Sequence, residues 1–174
     1  MKYFVKYLVV TFTLLICTNA IAEQKVVYMN MKTVLNTSSA GKKAQDSLQK
    51  NFITQQKKYS DMEKDLKKEE DSILAQKTLL EPSEYTKKIN ELRKKVIDYQ
   101  ANRRTSLDKI SEQKQKARNT LIDNLDPILE SYIKENNISI VLDQKNILIG
   151  SDALDITKII IEKLNKKLPS LKLE

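Results

Sequence analysis

The sequence predicts an α+β protein in which a small β-sheet body carries a long antiparallel coiled-coil helical hairpin. Three observations lead to this prediction: short β-branched runs near both ends of the chain, a sustained heptad pattern between them, and positive charge concentrated in the middle. Of the 174 residues, 31 are Lys or Arg and 23 are Asp or Glu. This composition, with 6% aromatic residues, is typical of long charged helices rather than of one large core.

The composition argues against an enzyme. The chain contains no His, one Cys and two Gly. Without His there is no Ser–His or Cys–His nucleophile pair and no imidazole metal ligand. Two isolated Gly residues cannot form a Gly-rich phosphate loop. We therefore expect no catalytic residues, no cofactor and no metal site.

The first residues, 1–22, have the three-part layout of a secretory signal peptide. Lys2 and Lys6 form a basic start, an apolar stretch runs from Leu8 to Ile16, and Ala20-Ile21-Ala22 is a small-x-small cleavage site. Cleavage after Ala22 leaves 152 residues that carry a net charge of +6 and no Cys. Such an exported chain must be stabilised by packing or oligomerisation, since no disulfide can form.

This segment has two other possible interpretations. An uncleaved membrane anchor is disfavoured because the apolar run has about half of the roughly 20 residues that a spanning helix needs. A lipoprotein modified at Cys17 is disfavoured because Ile16 stands where a small residue normally precedes the lipid-modified Cys.

The charge divides the rest of the chain into two parts. Residues 42–118 hold 20 basic and 13 acidic residues, a net +7, and are predicted to form the arm. Residues 23–41 and 119–174 together hold 9 basic and 10 acidic residues, a net −1, and are predicted to form the body. The uneven charge suggests a compact body with a charged extension inserted into it.

Three strands and a final helix are predicted in the body. Lys25 to Met29 and Ile138 to Leu142 are short β-branched runs. A third strand is predicted over Ile147 to Ile149, where it would form a hairpin with the second. Asp155 is a candidate N-cap for a helix that carries apolar residues at helical spacing and ends at Pro169.

The arm carries two heptad seams with steps that alternate between four and three residues, which predicts a coiled coil. Seven of ten positions are apolar in each seam. The first seam comprises Leu48, Phe52, Gln55, Tyr59, Met62, Leu66, Glu69, Ile73, Gln76 and Leu80, and the second Tyr85, Ile89, Leu92, Val96, Tyr99, Arg103, Ser106, Ile110, Gln113 and Ala117.

A chain reversal is predicted between the seams, at Glu81 to Glu84. Pro82 disfavours helical geometry for the preceding residue, and Ser83 is a candidate cap of the returning helix. After the reversal, residue i is expected to face residue 165 − i. Near the body, Asp126-Pro127 predicts a kink or a restart of the returning helix with Asp126 as its cap.

The order of these elements resembles the Skp/OmpH family of periplasmic chaperones. The resemblance is carried by the run Val26 to Met31, by Ile138 to Asp143, and by Asp155-Ile156-Thr157, together with the basic hairpin and the signal peptide. It implies a homotrimer whose sheets form a β-barrel-like body with three arms around a cavity. It also implies a periplasmic holdase that keeps unfolded outer-membrane proteins soluble without ATP until they insert.

The resemblance and the charge together give two sets of candidate residues. Client binding is predicted for the basic pairs of the arm, namely Lys57, Lys58, Lys67, Lys68, Lys87, Lys88, Lys94, Lys95, Arg103 and Arg104. The trimer body is predicted to contain Val26, Val27, Ile140, Val141 and Leu142. Any one basic pair is also typical of a solvated helix face. Lipopolysaccharide and an anionic membrane surface are further possible partners. Arg103-Arg104 is a candidate contact for lipopolysaccharide, but no lipopolysaccharide site is assigned from the family.

Two other classes of function would also use long basic helices or coiled coils. A passive coiled-coil spacer of the envelope would favour a tighter seam and balanced charge, whereas this seam is interrupted and its charge excess is positive. A nucleic-acid-binding protein would also use basic helices. Export to a compartment without nucleic acid argues against that class, so we expect no nucleic-acid partner.

Overall fold

The computed structural model describes residues 24–173; the predicted signal peptide, 1–22, lies outside the described residues. The elements in chain order are β1 (Lys25–Met29), α1 (Met31–Thr37), α2 (Ser39–Ala75), α3 (Pro82–Glu135), β2 (Ile138–Asp143) and α4 (Thr157–Lys167). Two short 3-10 turns, Gln144–Asn146 and Asp152–Leu154, connect β2 to α4. Within residues 24–173, no helix is both long and apolar enough to cross a membrane.

The two strands form a parallel sheet although the whole hairpin separates them. Val26 pairs with Ile140 and Tyr28 with Leu142, after a register shift between Lys25 and Val26. Parallel strands need a long crossover connection, and here helices α1 to α3 supply it. The return of the second strand to the first, which the sequence predicted, is therefore confirmed as a parallel pair.

The core of the body lies between the inner side of this sheet and the helices. Val34, Leu125, Ile160 and Leu164 are completely buried, and Val27 is nearly so. They come from β1, α1, the last part of α3 and α4, so residues far apart in the chain share one core. This long-range packing holds both ends of the arm at the body.

The junction from β1 into the arm is fixed by two side-chain caps. Asn30 Oδ1 accepts a hydrogen bond from the Thr33 N–H at 2.7 Å and begins α1. Buried Ser38 ends α1, and its Oγ accepts from the Gly41 N–H at 3.3 Å to begin α2. At Gly41 a Cβ atom would lie 1.8 Å from the Leu35 carbonyl oxygen, so the two helices approach too closely there for a side chain.

Helices α2 and α3 pack as the antiparallel hairpin that the heptads predict. Of the twenty seam positions, only Phe52 and Arg103 are classed as exposed. Three polar contacts fix the register: Lys95 Nζ to Glu69 Oε1 at 2.6 Å, Lys88 Nζ to Gln76 Oε1 at 2.9 Å, and Asn51 Nδ2 to Gln113 Oε1 at 3.4 Å. The residue numbers add up to 164 in every pair, one less than predicted.

The reversal lies slightly earlier than predicted and has a different cap. Helix α2 ends at Ala75, a turn follows, and α3 begins at Pro82. Its N-cap is Glu81, which makes no side-chain capping hydrogen bond. The prediction that Ser83 caps the helix is therefore wrong; Pro82 occupies the first turn, where its missing N–H costs nothing.

The predicted third strand is also wrong. Residues 147–149 are not a strand, and the Ile147 N–H donates to the Gln144 carbonyl within a tight turn. The predicted hairpin between the second and third strands is therefore absent from the described part of the chain. The prediction that Asp155 is the N-cap of the final helix is wrong by one residue, because the N-cap is Ile156; Asp155 Oδ1 still accepts a hydrogen bond from the Thr157 N–H at 2.8 Å.

Helix α3 does not restart at Pro127. The helix continues from Pro82 to Glu135 with the proline inside it, so Asp126 is not a cap. Leu125 is completely buried and Ile128 almost so, on either side of the proline. Packing of these neighbours offsets the lost backbone hydrogen bond, which explains why the local signal was overridden.

Gly41→Ala should destabilise the protein, although the same change at an exposed helix position stabilises it by up to about 1 kcal/mol. The added methyl group would meet the backbone of Leu35, which cannot rotate away. We expect a loss of about 1–3 kcal/mol in urea unfolding monitored by circular dichroism. Ser60→Ala, at an exposed position of the same helix, is the control; equal effects of the two changes would contradict the close approach.

Spin labels should report the hairpin directly. Labels at Lys50 and Lys114, which lie at one level of the antiparallel pair, should be about 10–20 Å apart because packed helix axes are about 8–10 Å apart. Labels at Lys50 and Ser83 should be separated by about 50 Å at 1.5 Å per residue. Double electron–electron resonance measures both distances, and a long Lys50–Lys114 distance would exclude this pairing.

Candidate functional site

The ten basic residues predicted to bind clients all lie on the arm. The four residues from Lys57 to Lys68 are on α2, and the six from Lys87 to Arg104 are on α3. Nine are exposed, and only Lys88 is partly buried. Their positions agree with a surface accessible to a partner, while their role in client binding stays a prediction.

Four of these residues already have contacts within the arm. Lys95 contacts Glu69 at 2.6 Å and Lys68 contacts Asp65 at 3.1 Å. Lys88 donates to Gln76, and Lys58 Nζ lies 5.6 Å from the centre of the Tyr59 ring. The remaining six make no salt bridge to any described residue, namely Lys57, Lys67, Lys87, Lys94, Arg103 and Arg104. These six are the better candidates for contact with a partner.

The antiparallel pairing gathers the basic pairs at three levels along the arm. Lys87-Lys88 lies near the turn at the tip. Lys67-Lys68 and Lys94-Lys95 come to one level in the middle, as the Lys95–Glu69 contact shows. Lys57-Lys58 and Arg103-Arg104 come to another level towards the body, where Tyr59 Oη donates to the Asn102 carbonyl at 2.9 Å. Residues far apart in sequence thus form shared patches of positive potential.

The two central tyrosines of the seam belong to the packing of the arm. The Tyr59 and Tyr99 rings meet edge to face with their centres 6.0 Å apart, and both side chains are buried. Tyr99 Oη lies 3.4 Å from Glu63 Oε2. These contacts join α2 to α3, so both rings are structural.

Several exposed apolar residues of the arm were missed by the sequence prediction. Ile53, Leu74, Ile97 and Leu107 lie outside the seam, and each is about half exposed or more. Ile97, for example, directly follows the seam residue Val96. Each of them directly follows a seam position in the sequence. A heptad pattern considers only the seam positions, so it does not reveal these residues.

A second candidate surface is the outer side of the two-stranded sheet in the body. Val26 is paired with Ile140, and Leu142 lies two residues further along β2, so their side chains point to one side. In this chain Ile140 is 49% exposed and Leu142 is 42% exposed. Val27 and Val141, predicted in the same group, lie on the opposite side and pack in or against the core.

The segment after β2 extends this apolar surface. A Cβ at Gly150 would lie 2.9 Å from Tyr28 Cε1, so the segment passes over the Tyr28 ring. Leu148 and Ile149 in this segment are almost fully exposed. Burial and the carboxylates of Asp155 and Asp152 raise the pKa of Tyr28, which keeps its hydroxyl neutral. Large exposed apolar surfaces of this kind are typical of interaction sites.

Both surfaces are suited to noncovalent binding. The arm offers many exposed cations, and the body offers an apolar face. In residues 24–173, no group of three or more Cys, Asp or Glu side chains is arranged to hold a metal ion.

Comparisons with known proteins agree with this architecture. The chain is 24% identical to a Skp-like protein of Pseudomonas aeruginosa PAO1 over 170 residues, which cover 95% of this chain and 99% of the relative. It also matches a crystal structure from Caulobacter crescentus CB15 described as an outer membrane chaperone, OmpH-like. The TM-score is 0.81 at 18% identity, with 90% of this chain and 93% of the other covered, so this match establishes the fold.

A family model described as "Outer membrane protein (OmpH-like)" matches residues 25–164. This match takes in β1, the whole arm, β2 and most of α4. The resemblance that the sequence suggested is thereby confirmed. The chain belongs to the Skp/OmpH family of OmpH-like outer membrane proteins.

Proposed function

We propose that this protein is an ATP-independent holdase chaperone that captures unfolded outer-membrane proteins and keeps them soluble until they insert. The observation that carries the proposal is the long hairpin, which buries only its seam and exposes a surface with a net charge of +7. Membership in the OmpH-like family supports it, as does the match to a structure described as an outer membrane chaperone. The activity needs no catalytic residue and no cofactor.

Capture by this surface depends on many weak contacts. An exposed ion pair contributes only about 0–1 kcal/mol, so a single basic residue cannot retain a client. Several contacts on one chain act together because each raises the effective concentration of the next. Weak individual contacts also allow release once the client gains a more stable state by folding into the membrane.

We propose further that the protein is a homotrimer assembled through the body. The body core is small, the sheet has two strands within residues 24–173, and its outer side leaves Val26, Ile140 and Leu142 exposed. The outer edge of β1 is covered at Tyr28, where the carbonyl accepts a hydrogen bond from the Ile156 N–H at 2.9 Å. An uncovered outer edge of β2 and an apolar face are costly in a free monomer. Association of three bodies would cover them and place three arms around one cavity.

The proposed site of action is the periplasm. The layout of residues 1–22 supports export through a cleaved signal peptide. The same basic surface could meet lipopolysaccharide or an anionic membrane, and no residue of the chain is assigned to either. A passive envelope spacer is the alternative, and it would hold no unfolded client in solution.

The trimer can be tested with Ile140→Asp. Because Ile140 is half exposed in one chain, the change should spare the fold of the chain and place an unpaired charge in the proposed interface, which costs several kcal/mol. Native mass spectrometry should then find monomers where the parent is a trimer. Leu79→Asp, at an exposed position at the tip of the arm, is the control and should remain trimeric. A parent that is a stable monomer at micromolar concentration would contradict the proposal.

The role of arm charge can be tested by reversing the six residues without salt bridges, Lys57, Lys67, Lys87, Lys94, Arg103 and Arg104, to Glu. The arm charge then changes from +7 to −5 without loss of a described salt bridge. We expect an unchanged helical circular dichroism spectrum and little suppression of aggregation of an acidic, urea-unfolded barrel protein.

Salt gives an independent test of the same mechanism. Exposed charges act over about 10 Å at 0.1 M salt and about 3 Å at 1 M. Raising the salt concentration should therefore slow capture by the parent before it affects assembly. If the reversed variant protects the barrel protein as well as the parent does at low salt, charge is not the basis of capture.

A further inference from the structure

Helix α3 has two flanks, one on either side of its seam, that differ in net charge and in apolar content. The first, here called the Arg flank, follows the seam by one position at steps of four and three residues, so its members lie along one side of the helix. It comprises Arg93, Ile97, Gln100, Arg104, Leu107, Ser111, Lys114 and Arg118, all of them exposed. It contains four cations, two large apolar residues and no acidic residue. Three of the four Arg residues of the chain lie on it.

The other side of α3, here called the Lys flank, has a different composition. It comprises Lys88, Glu91, Lys95, Asp98, Asn102, Thr105, Lys109, Glu112 and Lys116. It also has four cations, but three acidic residues alternate with them and no apolar residue is present. Equal numbers of cations thus give a net +4 on the Arg flank and +1 on the Lys flank.

The contacts within the hairpin use mainly the Lys flank. Lys95 binds Glu69 and Lys88 binds Gln76, so two of its cations hold α3 against α2. On the Arg flank, Arg93 reaches only Asn90 of its own helix, at 3.5 Å. Among the described residues, Arg104 and Arg118 form no salt bridge. The Arg flank therefore has no described role in holding the arm together.

Helix α2 extends the apolar character of the Arg flank. In an antiparallel pair, residues that follow a seam position by one point to the same side on both helices. Ile53 and Leu74 lie on this side of α2 and are more than half exposed. Lys67 adds a cation there, while Glu63 and Glu70 add two acids, of which Glu63 contacts Tyr99 in the seam. The combined surface stays positive and apolar.

The length of the Arg flank fits one strand of an unfolded barrel protein. From Arg93 to Arg118 the helix rises about 38 Å at 1.5 Å per residue. An extended chain of about 11 residues covers that distance at about 3.3 Å per residue. Transmembrane β-strands have about 9–11 residues with alternating apolar side chains. Arg groups, which are weakly hydrated and stack on aromatic rings, suit such a segment better than Lys does.

We propose that the Arg flank of α3, joined by Ile53 and Leu74 of α2, is the surface that binds the client. Its occupant is an extended segment of an unfolded outer-membrane protein, with acidic and apolar side chains. In an assembly of several arms this flank faces the enclosed space, and the Lys flank faces solvent or a neighbouring arm. The inference rests on the holdase function proposed above and assigns that function to one side of the arm.

The test compares two variants that lose the same charge. Arg93→Gln, Arg104→Gln and Arg118→Gln are combined in the first variant. Lys50→Gln, Lys109→Gln and Lys116→Gln, all exposed and off the Arg flank, are combined in the second. Each loses three positive charges per chain. Affinity for a urea-unfolded barrel protein diluted into 0.1 M salt is measured by fluorescence. We expect the Arg variant to bind about tenfold more weakly than the parent and the Lys variant within about twofold of it, because contacts on one surface act together.

Photo-crosslinking tests the same assignment without removing charge. A photoreactive residue replaces Gln100, on the Arg flank, or Thr105, on the Lys flank, both exposed on α3. Gln100 should give a strong crosslink to the unfolded barrel protein and Thr105 a weak one. A combined Ile97→Ser and Leu107→Ser variant should also weaken binding, while circular dichroism and native mass show that fold and assembly are kept.

The outcomes separate this inference from the function on which it rests. If the parent does not keep the barrel protein soluble, the holdase function itself is wrong. If the parent does so but the two charge variants bind equally, or Thr105 crosslinks as well as Gln100, the assignment to the Arg flank is wrong. If the Arg variant holds the client normally but no longer binds phosphatidylglycerol vesicles, the flank is a membrane surface and the proposal is overturned.

Discussion

The parallel pairing of β1 with β2 is the constraint on which the rest of this structure depends. The strands stand on either side of residues 30–137, so their pairing requires the intervening chain to leave the body and return. Closing a long loop costs entropy, but that cost rises only slowly with its length. The buried side chains of α1, the end of α3 and α4 stabilise the closed body. An extended arm can therefore be carried by a small body.

The arm itself has a narrow core that leaves most of its surface to solvent. Leu92, Ile73 and the Tyr59–Tyr99 pair are buried, whereas Glu69 and Gln76 take polar partners from α3. Such a seam fixes the register of the two helices, and the outer face of each helix is not needed for packing between them. The outer faces are then available for binding, and they can differ from each other without any effect on the fold.

The arrangement of charge on the arm is more informative than its amount. The Lys pairs are the most prominent basic feature of the sequence, but Lys88, Lys95 and Lys68 have partners within the arm. The arginines are less conspicuous and stand next to exposed aliphatic side chains. A surface that combines guanidinium groups without a described salt bridge with Ile97 and Leu107 can bind an acidic, apolar chain by two kinds of contact at once. Exposed Ile140 and Leu142 give the body a different, purely apolar surface.

The sequence by itself determined the features that local periodicity encodes: both seams, the strands at Lys25 and Ile138, and the concentration of charge in the arm. It could not determine where neighbouring segments would override a local signal. Asp126-Pro127 signals a helix boundary, yet α3 continues because buried Leu125 and Ile128 hold it in the core. Residues 147–149 have strand composition, yet a strand needs a partner edge, and the Ile147 N–H is bonded within a turn instead. Periodicity shows which side of an element is apolar, whereas only the tertiary structure decides whether that side is covered.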